Sequence, residues 1–426
     1  MSTTEPQLLH EPPRFAKDRM AHAWIVILGV ANAGDAVWSL ALAWTAVQIT
    51  TPAMAGVIVA AGAIPRAVVL LFGGALADRA NARHVMIVFN AIRIAVLVAA
   101  ATWVTVATPS VAVLTIAAVA FGICDAFYGP SSSTISRQLV RTADLPSYGA
   151  AAQVSSRLGS MGGSAVGGVL VAWSGLAGSA TANTVTYALV IAFIAIWMTP
   201  RFRLPREEKE SMLRGITRGF RHLRSEPLTR TLLLSLLGLN LAVGPAVGIG
   251  IALRATDQGW GAGAVGIFEG LLGLGAALGS AAVLRWRPRF EARAAFLWLA
   301  TQGLAIVALG FGPAWVTGAA SFTIGVTAGF ASVLLSSTFV AIVDAAYLGR
   351  MSSLVQLGDD CFMPLAMAIF GALAGVLPLW APFAIFGGAM TMLMLIPLRK
   401  PPIRALSLRQ PTSNDAQMTN GESATR

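Results

Sequence analysis

Charge is scarce in this chain. Only 12% of its 426 residues are charged and 56% are hydrophobic, whereas an ordinary soluble domain is about one quarter charged. That composition excludes a water-soluble globular fold of the usual kind. Cysteine is nearly absent. Cys124 and Cys361 both fall inside apolar runs, so no disulfide framework is implied. The four histidines are scattered, and no cluster of His, Cys and acids has metal-ligand spacing. No metal and no cofactor are expected. A phosphate-cradling glycine loop is missing, which argues against ATP hydrolysis. No nucleophile–base constellation stands out either, so an enzyme is not expected. Residues 1–22 are polar and lack a signal-peptide cleavage pattern, so the first apolar run is expected to be retained.

What the chain has instead is apolar length. Its mean hydropathy is +0.71. Runs of about 20 residues, enough to span a bilayer as helix, recur from end to end. The predicted spans are 23–49, 53–77, 84–106, 110–138, 147–174, 178–199, 229–253, 260–284, 292–312, 314–342, 351–377 and 380–398. They are continuously apolar rather than alternating, which selects helices over a barrel. The expected fold class is an all-α integral membrane protein with twelve transmembrane helices.

The net charge of +11 does not imply nucleic-acid binding, because the basic residues sit at particular connections. They precede the first span, and they lie in the even-numbered connections and after the last span. Examples are Arg79 and Arg83, Arg137 and Arg141, the run from Arg201 to Arg224, Arg285 to Arg293, and Arg399 to Arg404. The odd-numbered connections carry almost none, with Arg254 as the exception. The positive-inside rule therefore puts both termini in the cytoplasm of a multi-pass protein of the cell membrane, the inner one in a bacterium.

Eight charged residues fall deep inside the spans, away from their ends. Asp35, Arg66, Arg93, Asp125 and Arg157 lie in the first half, and Glu269, Asp359 and Asp360 in the second. A charge at the bilayer centre costs roughly 2.5–3.5 kcal/mol on insertion scales unless it meets a partner or water. Their number argues for a polar cavity, hence for a transporter of small molecules.

The longest hydrophilic stretch divides six spans from six. The expected layout is a cytoplasmic segment 1–22, a six-helix bundle 23–199, a linker 200–228, a second bundle 229–398 and a disordered tail 399–426. Within the linker, Glu207 to Arg224 has apolar residues at near-helical spacing and reads as an amphipathic surface helix. Local echoes between the halves, such as 155–159 with 354–358, support two six-helix pseudo-repeats with a site between them near the midplane.

Between the second and third spans the chain reads Gly74-Ala-Leu76-Ala-Asp78-Arg79-Ala-Asn81-Ala82-Arg83. This resembles the G-x-L-x-D-R-x-G-R-R signature of the major facilitator superfamily. Asn81 replaces the second glycine, and Ala82 replaces one closing basic residue. In the fifth span, Gly159-Ser-Met-Gly162-Gly163-Ser164-Ala-Val-Gly167-Gly168 resembles the G-x-x-x-G-P-x-x-G-G pattern of that superfamily's antiporters, with Ser164 at the proline position. The Gly34-Asp35 pair and Phe127-Tyr128-Gly129-Pro130 resemble the enterobactin-exporter and multidrug-efflux branch.

The resemblance covers roughly residues 20–400. It implies the major facilitator fold, alternating access, a cytoplasmic gate built from Gly74, Asp78, Arg79, Arg83 and Arg137, and function as a monomer. Gly159, Gly163, Gly167 and Gly168 either pack helices closely or act as hinges. Arg93 is either a cavity ligand or the structural partner of Asp125 or Asp35.

The expected mechanism is proton-coupled export. An acid in a dry helix interface holds its proton more tightly, because burial disfavours the charged form. Opening to one side hydrates it. Protons and a small amphipathic cargo, a drug or a siderophore-like metabolite, then compete for the same acids. An importer or uniporter of the same fold, and a scaffold or receptor that transports nothing, are the alternatives.

Overall fold

The computed structural model describes residues 7–8, 13–63, 65–66, 81–203, 226–342 and 348–400. Gly74, Asp78, Arg79, the expected amphipathic helix and the tail beyond 400 lie outside the described residues.

The described chain is almost entirely helical. Its helices are α1 (Arg19–Ile49), α2 (Pro52–Ala61), α3 (Ala82–Val106), α4 (Val111–Leu139), α5 (Leu145–Ile196), α6 (Pro227–Pro245), α7 (Ile251–Asp257), α8 (Gly261–Arg285), α9 (Glu291–Leu309), α10 (Ala314–Ile342), α11 (Leu348–Val376) and α12 (Trp380–Leu395). Among the described residues, nine helical stretches are long and apolar enough to cross a membrane. Pro52–Ala61 and Cys361–Val376 are shorter apolar helices.

The 52-residue α5 is two helices in space. Gly175 has φ 59 and ψ −152, a left-handed conformation that glycine adopts without a Cβ clash. The chain reverses there. Residues 159, 163 and 167 meet 29, 33 and 37 of α1 in parallel order. Beyond Gly175, Tyr187 meets Asp35 and Phe193 meets Trp24, in antiparallel order. The turn expected between the fifth and sixth spans is therefore present.

Glycine sets the spacing of that packing. A Cβ on Gly159 would lie 2.0 Å from the Gly29 carbonyl oxygen, and one on Gly163 would lie 2.2 Å from that of Ala33. Backbone meets backbone, so no side chain can move aside. Such close approach is how membrane helices gain dispersion energy without a hydrophobic driving force. Across the linker the same four-residue step recurs: α6 meets α11 through Asn240 and Asp359, then Gly244 and Met363, and the following π-helical turn adds Gly248 and Met367.

Two helices depart from the simple reading. Pro130 removes one backbone donor from α4, yet the helix runs on to Leu139. Hydroxyls of Ser131, Ser133 and Thr134 donate back to the Phe127 and Pro130 carbonyls within the helix. The stretch read as one span at 229–253 is α6, a π-helical turn at Ala246–Gly250 directly after Pro245, and α7. Proline and π-turns are the common causes of such bends.

Arg254, the exception to the charge pattern, is not an interface charge. It is buried at 8% exposure. One nitrogen donates to the Gly312 carbonyl at 2.9 Å, another lies 3.4 Å from Asp257, and the guanidinium sits 5.7 Å from the Trp260 ring. It ties the end of α7 to the α9–α10 turn.

A polar clasp closes the start of α1. Asp18 caps the helix by accepting from the Ala21 amide at 3.1 Å. The same carboxylate takes two hydrogen bonds from Arg201, whose guanidinium also donates to the Leu139 carbonyl at 3.2 Å. Burial pushes the Asp18 carboxyl up, but the hydrogen bonds from Arg201 and the Ala21 amide, with the charge of Arg201, outweigh it and leave it below the usual carboxylate value. A depressed folded-state value contributes stability above the unfolded value of ~3.9 and loses it as pH falls through the folded value. Asp18→Asn keeps the cap, since Asn caps as well as Asp. It is expected to lower stability at neutral pH by about 1.5–3 kcal/mol, the range for hydrogen bonds to charged groups. It should also flatten the acid limb below about pH 4 in thermal unfolding of the purified protein. An acid limb equal to that of the wild type would remove the clasp as its source.

Candidate functional site

A cavity of about 340 Å³ lies between the elements before and after the linker. Its polar wall is Asp35 of α1, Arg66 just beyond α2, Asp125 of α4 and Asp359 of α11. Trp38 and Phe121 form an aromatic side, stacked at 5.3 Å between ring centroids. Leu42, Val59, Ala118 and Met363 supply apolar surface.

The acids are held from behind. Arg93 of α3 is 2% exposed and pairs with Asp125, whose side chain is 41% exposed. Arg93 also donates to the Asn90 side chain at 3.4 Å. Its guanidinium carbon lies 4.8 Å from the Tyr128 ring centroid, 5.1 Å from that of Tyr187 and 6.0 Å from that of Phe121. A guanidinium stacks well on such faces. Tyr187 then donates its hydroxyl to Asp35. One buried cation thus sits behind two cavity acids, bonded to one and linked to the other through a tyrosine. Across the cavity, the Asn240 amide donates to Asp359 at 2.7 Å.

Four of the eight charged residues singled out in the sequence therefore share one cavity wall: Asp35, Arg66, Asp125 and Asp359. Arg93 does not line it. The rings around Arg93 fill the space, and its placement matches the alternative of a structural partner for Asp125. Arg157 is exposed on the first arm of α5, because residues 155 and 159 turn the opposite face of that arm to α1. Glu269 lies on α8, which packs on α5 through Gly266 and Gly270, with Ser164 nearby on α5. Asp360 is within α11, and its side chain lies outside the described residues.

Of the expected gate residues, Arg83 donates to the Ala195 carbonyl at 2.7 Å, tying α3 to the end of α5. Arg137 is exposed in the last turn of α4, where a cation favours the helix dipole. The fifth-span glycines divide by partner. Gly159, Gly163 and Gly167 pack on α1, whereas Gly168 packs on α8, a Cβ there falling 2.6 Å from the Gly266 Cα.

Three contacts join elements before and after the linker on one side of the cavity. The Gln48 amide donates to the Thr256 hydroxyl at 2.9 Å, joining the ends of α1 and α7. A Cβ on Gly371 of α11 would meet the Pro52 carbonyl of α2 at 2.5 Å. Gly168 and Gly266 make the third contact. The cavity residues lie beyond this seam, toward the end at which α1 and α6 begin.

Tyr187, Asn183, Asn90 and Asn240 were not singled out in the sequence. Asn183 and Tyr187 stand one helical turn apart in a span that also carries Ser179, Thr181, Thr184 and Thr186, and that spacing was the available signal. A second cavity of about 340 Å³ between α6, α11 and α12 is lined by apolar residues such as Leu241, Phe362, Leu365 and Ile385.

A family model for the Major Facilitator Superfamily matches residues 24–359. The chain belongs to the Major Facilitator Superfamily. It is a multi-pass membrane transporter and not an enzyme. The enterobactin exporter EntS of Escherichia coli strain SE11 is 26% identical over 348 residues, 78% of this chain and 80% of that protein. The EntS of Escherichia fergusonii matches to the same extent. Among solved structures, the nucleoside transporter NupG aligns with a TM-score of 0.69 at 13% identity, over 88% of this chain and 98% of that one. A bacterial homologue of the iron transporter ferroportin, in an inward-facing state, aligns with a TM-score of 0.66 at 15% identity, over 89% and 96%. At such identities these structures share the fold with this chain.

Proposed function

We propose that this superfamily member is a proton-coupled exporter of small amphipathic compounds, drugs or siderophore-like metabolites, working by alternating access. One observation carries the reading. Acids from both sides of the linker wall a single cavity, and the contacts that join the two halves lie on its side remote from the starts of α1 and α6. The two arms of α5 and the two shorter apolar helices bring the crossings to twelve. The repeated four-residue step of α1 on α5 and of α6 on α11 supports two six-helix pseudo-repeats, 23–199 and 229–398, joined by the linker 200–228. With both termini in the cytoplasm, that joined side faces outward and the cavity lies toward the cytoplasm, where an exporter loads cargo.

Asp35 is the proposed proton-linked acid, with Asp125 and Asp359 as cargo or proton partners and Glu269 as an acid of the seam. Asp78, with Arg79, Arg83 and Arg137, forms the cytoplasmic gate when the molecule opens outward, and a monomer suffices. The test is uptake into inverted membrane vesicles. Cargo accumulation that requires an imposed proton gradient, and collapses with an uncoupler, is expected. Uptake indifferent to the gradient would favour a uniporter, and no uptake across a panel of compounds would favour a receptor or scaffold.

A further inference from the structure

The apolar cavity outside the central site has a basic foot. We infer that the groove between α6, α11 and α12 seats an acyl chain of an anionic phospholipid, whose headgroup is held at Lys400. The lipid belongs to the leaflet at which α6 begins, the cytoplasmic one in the orientation proposed above. Neither cargo nor proton coupling enters this inference.

The groove, of about 340 Å³, is walled by side chains such as Leu241 of α6, Leu365 and Ile369 of α11, and Ile385 and Ala389 of α12. It shares no lining residue with the central cavity, to which Asp359 and Met363 turn another face of α11. Phe362, Leu365, Ile369 and Ile385 are exposed large apolar side chains, so the groove opens sideways on the helices. An apolar cavity stays dry and takes apolar guests. Within the bilayer the apolar guest in supply is a lipid tail.

Toward the start of α6 the groove gives way to a cation. Leu393 of α12 packs where a Cβ on Gly238 of α6 would lie. Two helical turns before Gly238, on the same face of α6, the Thr231 hydroxyl accepts a hydrogen bond from the Lys400 ammonium at 2.7 Å. Between these two contacts Leu234 and Ile396 are exposed, so apolar surface lies between groove and cation. Thr231 takes one of the three donors of the ammonium, and the others suit phosphate oxygens. Arg230 and Arg399, the chain neighbours of this pair, are exposed, against one acid, Glu226, a turn away on α6. Basic pockets between helices on the cytoplasmic side bind anionic headgroups. The depth agrees as well. Thr231 to Ala242, the furthest lining residue of α6, is about 16 Å of helix at 1.5 Å per residue. One leaflet supplies roughly 15 Å of hydrocarbon, half of the bilayer core. A chain whose headgroup meets Lys400 therefore ends inside the groove.

The test is native mass spectrometry of purified, delipidated full-length protein, titrated with phosphatidylglycerol and phosphatidylcholine of identical acyl chains. Phosphatidylglycerol is expected to fill one tight site, at least tenfold more strongly than phosphatidylcholine. Lys400→Gln should weaken that site at least fivefold. Ala389→Phe fills the groove from an exposed position and changes no charge; it should weaken both lipids at least fivefold. Leu365→Trp, on the α11 wall, is the second filling variant should the first not fold, which thermal unfolding checks. Arg289→Gln removes an exposed cation elsewhere on the same membrane side and should leave the site unchanged. Equal binding of the two lipids, a loss with Arg289→Gln as large as with Lys400→Gln, or affinity untouched by the filling variants overturns the inference. So does a dimer that the filling variants dissociate, which gives the groove to a second copy of the chain. None of these readouts depends on transport, so the carrier reading stands or falls separately.

Discussion

Asp125→Asn is expected to destabilise the protein by about 1–3 kcal/mol, less than the ~3–5 kcal/mol for breaking a fully buried ion pair from one side, because Asp125 itself is 41% exposed and screened. The cause is Arg93. With 2% of its side chain exposed, it has no route to water when Asp125 no longer balances it. The three rings around it also offer partial compensation. Replacing both partners, as Arg93→Met with Asp125→Leu, should restore most of the stability, because an apolar pair of similar volume is often neutral or better than a buried ion pair. The pair is in direct contact, so strong non-additivity is expected in the double-mutant cycle. Transport should not return with folding, since Asp125 reaches the cavity and Leu cannot replace a carboxylate there. Thermal unfolding gives the first readout and vesicle uptake the second. A double mutant that both folds and transports would reduce the pair to a structural element.

Asp35→Asn is expected to reduce gradient-driven export to background while leaving cargo binding measurable. An amide at this position still accepts a hydrogen bond from Tyr187, so the local packing survives, but it carries no proton. Arg66→Ala in the same background should not restore export. The alternative, that Asp35 serves only as an ion-pair partner of an arginine, predicts rescue by removing that arginine. The geometry weighs against Arg93 as the partner, because Arg93 bonds to Asp125. Gradient-driven uptake in Asp35→Asn comparable to wild type would move the coupling role to Glu269 or to the Asp359–Asp360 pair.

The sequence was informative where physics leaves a one-dimensional mark. Apolar length located the break between the spans 147–174 and 178–199, and in the structure Gly175 makes that turn because glycine accepts its backbone angles easily. The glycines of the fifth span marked close packing, and Gly159 and Gly163 do meet α1 backbone to backbone. The faces of the helices were far less legible. In a soluble helix, polar residues identify the outer side. Here lipid and protein interior are both apolar, so the sequence of α5 does not say that Arg157 is exposed while Ser155, two residues away, bonds to the Ile25 carbonyl. Arg93 and Asp125 are 32 positions apart, and Asp35 was an equally good partner until the helices were placed. Glu269 looked like a cavity acid from its depth alone. Its rotation on α8 puts it near Ser164, the residue that stands at the proline position of the antiporter pattern. Arg254 broke the charge pattern because its partners, Gly312 and Trp260, are supplied by tertiary structure.

Alternating access is the central claim, and the distance across the joined side tests it most directly. Spin labels placed at Gln48 and Thr256, in a Cys124→Ala, Cys361→Ser background, report on the contact that joins α1 to α7. A short distance is expected in the cargo-free protein. A second, longer population should grow as pH is changed in the presence of cargo, and should be lost with Asp35→Asn. A single short distance under every condition that supports transport would contradict the mechanism.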